Sequence, residues 1–159
     1  MKPIVCNQDS TQPLAQNIAV TKMPPPGVIK QLPVRHMLDV AKARTMVRRL
    51  AEQLGYELID QLRLAAAAFE LAQFLMTWTG KGELSILWYK NTQGMGLKCC
   101  GCCAEPSASY LTNDEKPAPK PDFSQLKKLV DEFEYFEDPR RGDSVVVIVW
   151  LKHGSQPEI

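Results

Sequence analysis

The chain has 159 residues, 45% of them apolar and 23% charged, which suits one domain with a sizeable core. Its formal net charge of +1 offers no field of one sign to recruit nucleic acid or an acidic membrane surface. No apolar run approaches the roughly 20 residues that span a bilayer, and the N-terminal MKPIVCNQDS lacks the apolar centre of a signal peptide. The expected setting is therefore cytoplasmic, with no nucleic-acid or membrane partner.

Residues 1–27 are polar and proline-rich, ending in Met23-Pro24-Pro25-Pro26-Gly27, and read as a flexible tail. A domain is expected over 28–152, followed by a short tail over 153–159. Val28 to Val34 suits a short edge strand, because Pro33 cannot donate to a central ladder. Asp39 is placed to cap a helix running to Leu54, whose stripe Ala43, Val47, Leu50, Ala51 and Leu54 faces inward and which Gly55 stops. Lys42, Arg44, Arg48, Arg49 and Glu52 fall on its wet side, either as a solvated face or as a docking surface for a partner.

The longest helical pattern lies between Tyr56 and Gly82. Leu58, Leu62, Ala65, Phe69, Ala72 and Met76 recur at steps of four and three, the spacing of a core-facing stripe. Leu64, Ala68, Leu71 and Leu75 form a second row beside it, so several neighbours must cover this helix. The remaining arc carries Arg63, Glu70, Gln73 and Thr77. A carboxylate there must be paired, hydrogen-bonded or open to a wet cleft, which singles out Glu70. Gly80 and Gly82 end the pattern.

Leu84 to Tyr89 is a strand by its β-formers, Asn91 to Gly94 a turn, and Met95 to Cys103 a second strand. Glu105 to Asp122 reads as loop. A third helix is expected over Phe123 to Phe133, then a short strand over Glu134 to Glu137 and a turn over Asp138 to Asp143. Ser144 to Lys152 is the most apolar strand. This order predicts an α+β fold: a two-layer α/β sandwich with three helices on one face of a mixed, mostly antiparallel sheet.

Of five cysteines, Cys6 stands alone and Cys99, Cys100, Cys102 and Cys103 crowd together, unlike a secreted disulfide framework. Adjacent cysteines on a strand point to opposite faces, and structural zinc needs four ligands. Small buried hydrophobes are the plain reading of these thiols, with a redox or metal sensor as the alternative. Arg141-Gly142-Asp143 matches an adhesion tripeptide but reads here as a turn, and Trp78, Trp88 and Trp150 as core or core-edge aromatics.

Several words of the sequence carry a resemblance over roughly residues 28–152: DVAKAR at 39–44, FELAQ at 69–73, TGKGELSI at 79–86, GLK at 96–98, LKKLVDEF at 126–133 and VWLK at 149–152. In this order they resemble the GHKL ATPase fold, also called the Bergerat fold. Within it they are most similar to the RsbT-like anti-sigma regulatory factors, the serine kinases of bacterial partner-switching systems. The resemblance implies a glutamate as general base, matched by Glu70, and four residues later an asparagine that helps hold Mg²⁺, where Phe74 stands. It implies an aspartate that accepts the adenine amino group, where Cys103 stands, and following glycines, where Glu105 and Ser107 stand. It also implies a glycine-rich lid over the phosphates. Here the remodelled 105–122 loop puts KPAPKPDFSQ in the lid's place, and no glycine lies between Cys103 and Gly142.

The expected function is thus a regulatory protein-binding module that has lost ATP binding and carries no cofactor. It would dock a STAS-domain or sigma-type partner through Arg44, Arg48 and the 105–122 loop, and homodimer formation stays open. The alternative is an active ATP- and Mg-dependent protein serine kinase using Glu70 as base. Outside that alternative, Glu70 caps a polar pocket or pairs with a neighbour such as Arg63.

Overall fold

The computed structural model describes residues 25–105 and 121–152. Eight elements follow in order: β1 (Gly27–Val34), α1 (Met37–Gln53), α2 (Leu58–Trp78), β2 (Gly82–Asn91), β3 (Gly94–Cys103), α3 (Ser124–Leu129), β4 (Glu132–Phe136) and β5 (Ser144–Trp150). The strands form one sheet in the order β1-β2-β3-β5-β4, and each described pairing is antiparallel. The fold is the two-layer α/β sandwich expected, with a more uniformly antiparallel sheet than the mixed one foreseen. β1 takes in Gly27, the last residue of the expected tail; residues 1–24, the 105–122 loop apart from its ends, and the 153–159 tail lie outside the described residues.

Period-two alternation sends Leu84, Ile86 and Trp88 of β2, Leu97 and Cys99 of β3, and Val145, Val147 and Val149 of β5 into one buried core. The opposing layer supplies Val40, Ala43 and Val47 of α1 and Leu64, Ala68, Leu71 and Leu75 of α2. The α2 backbone crosses the sheet closely at β3, where a Cβ on Gly101 would touch Leu71 and Leu75. Gly55 and Gly80 end the two long helices at φ +90° and +84°, the left-handed stop that glycine adopts without penalty.

Three local expectations are corrected. Asp39 lies inside the first turn of α1, and its carboxylate accepts from the Arg35 and His36 backbone N–H groups at 2.9 and 3.1 Å. It therefore ties down the chain entering the helix at the His36 N-cap, three residues earlier than a cap at Asp39 allows. Leu58 and Leu62 stay 59% and 44% exposed, since at the start of α2 the core contact falls to the Leu64 row, although Ala65 and Ala72 of their own row are buried. The third helix is only six residues long: Phe133 belongs to β4, where cross-strand pairing with Val147 replaces helical bonding.

Tyr56, in the α1–α2 turn, joins the two layers. Its hydroxyl donates to the Val149 carbonyl at 2.6 Å and accepts from the Leu97 N–H at 2.8 Å. Leu97 and Val149 are direct partners across β3 and β5, so the phenol sits within the ladder itself. Desolvation raises the Tyr56 pKa well above the ordinary phenol value, so it remains a donor at every physiological pH.

Candidate functional site

Glu70 lies half-buried on α2, one turn before Phe74, and borders a cleft of about 240 Å³. Gln73, Thr77, Asp122 and the rings of Phe74, Trp78 and Phe123 line the rest. The polar groups on this wall are mostly used locally. The Thr77 hydroxyl donates to the Gln73 carbonyl at 2.9 Å, and Asp122 accepts from the Ser124 N–H at 2.9 Å at the start of α3. Arg63 does not reach Glu70. It bonds Asp60 at 2.7 Å and Asp131 at 2.9 Å, anchoring α2 to the start of β4, and these two contacts raise its pKa against the opposing effect of burial. Among the described residues Glu70 has no ion-pair partner, so it borders a cleft rather than pairing with Arg63.

Behind the cleft five rings pack together. Phe74 lies 6.0 Å from Trp78, 5.2 Å from Phe123 and 6.5 Å from Tyr135, and Phe123 contacts Phe133 at 5.2 Å and Tyr135 at 5.0 Å. Edge-to-face and tilted pairs of this kind add about 0.5–1.5 kcal/mol each beyond their buried area. Phe74 is 8% exposed, so the side chain four residues after Glu70 is a packing element of the core.

The back of the cluster holds a carboxylate that sequence reading passed over. Asp143 closes the Arg141-Gly142-Asp143 turn and is 1% exposed. It accepts from the Trp78 indole N–H at 3.1 Å, the Tyr135 hydroxyl and the Asp138 backbone N–H at 3.1 Å. Its own carbonyl accepts from the Cys103 N–H at 2.9 Å. Here the tripeptide is a turn, and its aspartate is committed to the interior. The available signal was a carboxylate placed directly before the most apolar strand, where a charge persists only if several donors converge on it.

The cysteines divide as strand alternation requires. Cys99 and Cys103 belong to the main core, whereas Cys100 packs with Val146 on the opposite face beside Cys102. Burial pushes the Cys99 thiol up to about 12 and the Cys103 thiol up to about 11, which leaves little thiolate for chemistry.

Arg44 and Arg48 are both exposed on the outer face of α1 and border a shallow depression with Thr45, Arg49 and Glu52. They lie on a different helix from Glu70, and no described pocket includes residues of both groups. No helix among the described residues is long and apolar enough to cross a membrane.

The comparisons fit this architecture. No family model matches the chain. Among curated proteins it is similar to serine/threonine-protein kinase RsbT of Bacillus subtilis (strain 168), with 28% identity over 124 residues covering 72% of this chain and 90% of the relative. That similarity agrees with the resemblance that the sequence words carry.

Proposed function

We propose that this protein is a regulatory protein-binding module, descended from an RsbT-like switch kinase, that works by docking a partner protein and no longer binds ATP. The observation that carries the reading is Phe74. In the resemblance its position belongs to the metal-holding asparagine, yet here the ring is buried in a five-membered aromatic cluster. A phenyl ring offers a hard cation no oxygen.

Two further positions support the same reading. Cys103 stands where an acceptor for the adenine amino group is implied, and a neutral buried thiol is a weak acceptor. The carboxylate nearest to hand, Asp143, already receives Trp78, Tyr135 and Asp138. Glu105 stands at the first implied glycine and pairs with Lys81 at 2.9 Å. These side chains do not suit a magnesium nucleotide.

Docking asks only for surface. Exposed Arg44 and Arg48 on α1 supply charge, and exposed Met37, Leu38, Leu58, Ile59 and Leu62 supply apolar anchors of the kind that mark protein contacts. The partner class implied is a STAS-domain or sigma-type regulator. Calorimetric titration with Mg-ATP tests the reading: no heat of binding is expected, and micromolar affinity overturns it.

One observation favours a second reading. Glu70 faces a cleft without an ion-pair partner among the described residues, as a general base would. Incubation with labelled ATP and a STAS-domain substrate, alongside Glu70→Ala, separates the two. Phosphate transfer that depends on Glu70 identifies a kinase, and its absence leaves the module.

A further inference from the structure

We infer that the groove between β1 and α1 is a docking site for an acidic, amphipathic helix of a partner protein. The inference rests on the reading of the protein as a docking module and gives that module a partner chemistry. The groove has a volume of about 570 Å³. Its floor is apolar, made by Leu32 of β1 and by Met46 and Leu50 of α1. Its rim is cationic: Lys30 on the strand, and Lys42 and Arg49 on the helix. No carboxylate lines it, and among the described residues none of the three cations has a salt-bridge partner.

The whole chain carries a formal charge of only +1, so this positive rim is a local arrangement. Arg44 and Arg48 extend the same sign along α1, whose carboxylates are Asp39 in its first turn and Glu52 near its end. An apolar floor between cations fits an occupant with an apolar stripe flanked by Asp and Glu. The helix wall runs from Ala41 to Gln53, about 18 Å at 1.5 Å per residue, which matches a partner helix of about three turns. Met46 adds a flexible, polarisable contact of the kind found at adaptable binding surfaces. The chain's own first 26 residues suit the groove poorly, since they hold one carboxylate, Asp9, against Lys2 and Lys22.

The test uses the full chain and two fluorescein-labelled helical peptides, one of Leu and Glu in amphipathic register and one with Lys replacing each Glu. Fluorescence anisotropy is expected to show binding of the Glu peptide only, weakening with added salt. The double variant Lys42→Glu with Arg49→Glu, both surface positions, should lose at least tenfold in affinity while keeping its circular dichroism spectrum. Amide shifts of ¹⁵N-labelled protein should cluster on Lys30, Leu32 and Met46. Absence of binding, equal binding of the Lys peptide, or indifference to the charge reversal overturns the assignment. Groove shifts that depend on protein concentration without peptide would assign the groove to a second copy. Displacement of the probe by a peptide of residues 1–26 would assign it to the chain's own tail; either outcome also overturns it. The Mg-ATP titration is independent of the groove, so a failure here and a failure of the docking-module reading are distinguishable.

Discussion

The cleft beside Glu70 and the outer surface of α1 are both polar regions of the helical layer, but they use their polar groups in opposite ways. At the cleft nearly every group is committed inward: Trp78 and Tyr135 to Asp143, Thr77 to its own helix, Phe74 and Phe123 to each other. On α1, Arg44, Arg48 and Arg49 extend to solvent with no salt bridge among the described residues. A buried polar group that has found internal donors has little left to offer a ligand, because breaking those bonds costs more than a new contact returns. Exposed cations keep that capacity. On the proposed reading, the contrast assigns recognition to α1 and structural duty to the wall beside Glu70.

The sharpest way to break the contrast is to restore the cleft. Phe74→Asn puts back the amide that the resemblance implies, at the cost of the ring's contacts. We expect it to destabilise the fold by about 4 kcal/mol, as removal of buried aromatic rings does, with no gain in Mg-ATP binding. Urea unfolding and calorimetry together read both effects. Recovery of nucleotide affinity by this one change would mean the cleft is a single substitution from function, and the contrast would fail. Asp143→Ala comes next, at about 3 kcal/mol, since it leaves the Trp78, Tyr135 and Asp138 donors unsatisfied. A shift of less than 1 kcal/mol in urea unfolding would show that the carboxylate is dispensable.

The thiols behind the cleft give the contrast a pH dependence. Above about pH 8.5 an unfolded cysteine loses its proton, whereas folded Cys103 holds its proton to about 11 and Cys99 to about 12. The folded state then binds more protons than the unfolded one, so the unfolding free energy falls as pH rises. Stability from this source is complete below about pH 8.5 and declines through about pH 11 for Cys103 and about pH 12 for Cys99. Urea midpoints at several alkaline pH values should show the decline, and Cys103→Ala should flatten it. An unchanged slope in that variant would mean the thiol is not held neutral by the core.

Much of this arrangement was legible in the residues. The Leu64, Ala68, Leu71, Leu75 row, the edge placement of β1 and the two glycine stops follow from periodicity and backbone preference alone. What was not legible depends on contacts distant in sequence. Leu58 and Leu62 have helical spacing, yet both are exposed, because burial depends on which neighbours cover a helix face rather than on spacing. Phe133 continues a helical pattern, yet its pairing with β5 decides for strand. Tyr56 looks like an ordinary turn aromatic, and only its approach to Leu97 and Val149, far along the chain, reveals the ladder bridge. Asp143 is similar: a turn aspartate by local chemistry, a buried acceptor by tertiary structure.

Charge reversal on α1 affects recognition more than stability. Arg44→Glu with Arg48→Glu should move the urea midpoint very little, because both side chains are exposed. It should weaken capture of an acidic or STAS-type partner about tenfold, equivalent to about 1.4 kcal/mol. Surface plasmon resonance at two salt concentrations would read the loss and its screening. Full affinity in the double variant would move recognition off α1 and dissolve the contrast from its other side.

The smallest expected effect belongs to the residue that first drew notice. Glu70→Gln keeps the shape of the side chain and removes its charge. Because Glu70 is half-exposed and has no ion-pair partner among the described residues, stability should change by less than about 0.5 kcal/mol. Partner binding should not change, since the cleft lies on a different helix from Arg44 and Arg48. A general base would behave otherwise: its amide variant would fold and dock normally but lose phosphate transfer. The same protein sample therefore serves for unfolding, docking and labelled-ATP assays. A null result in all three is what the docking-module reading predicts, and a selective loss in the third would make Glu70 the centre of an active kinase.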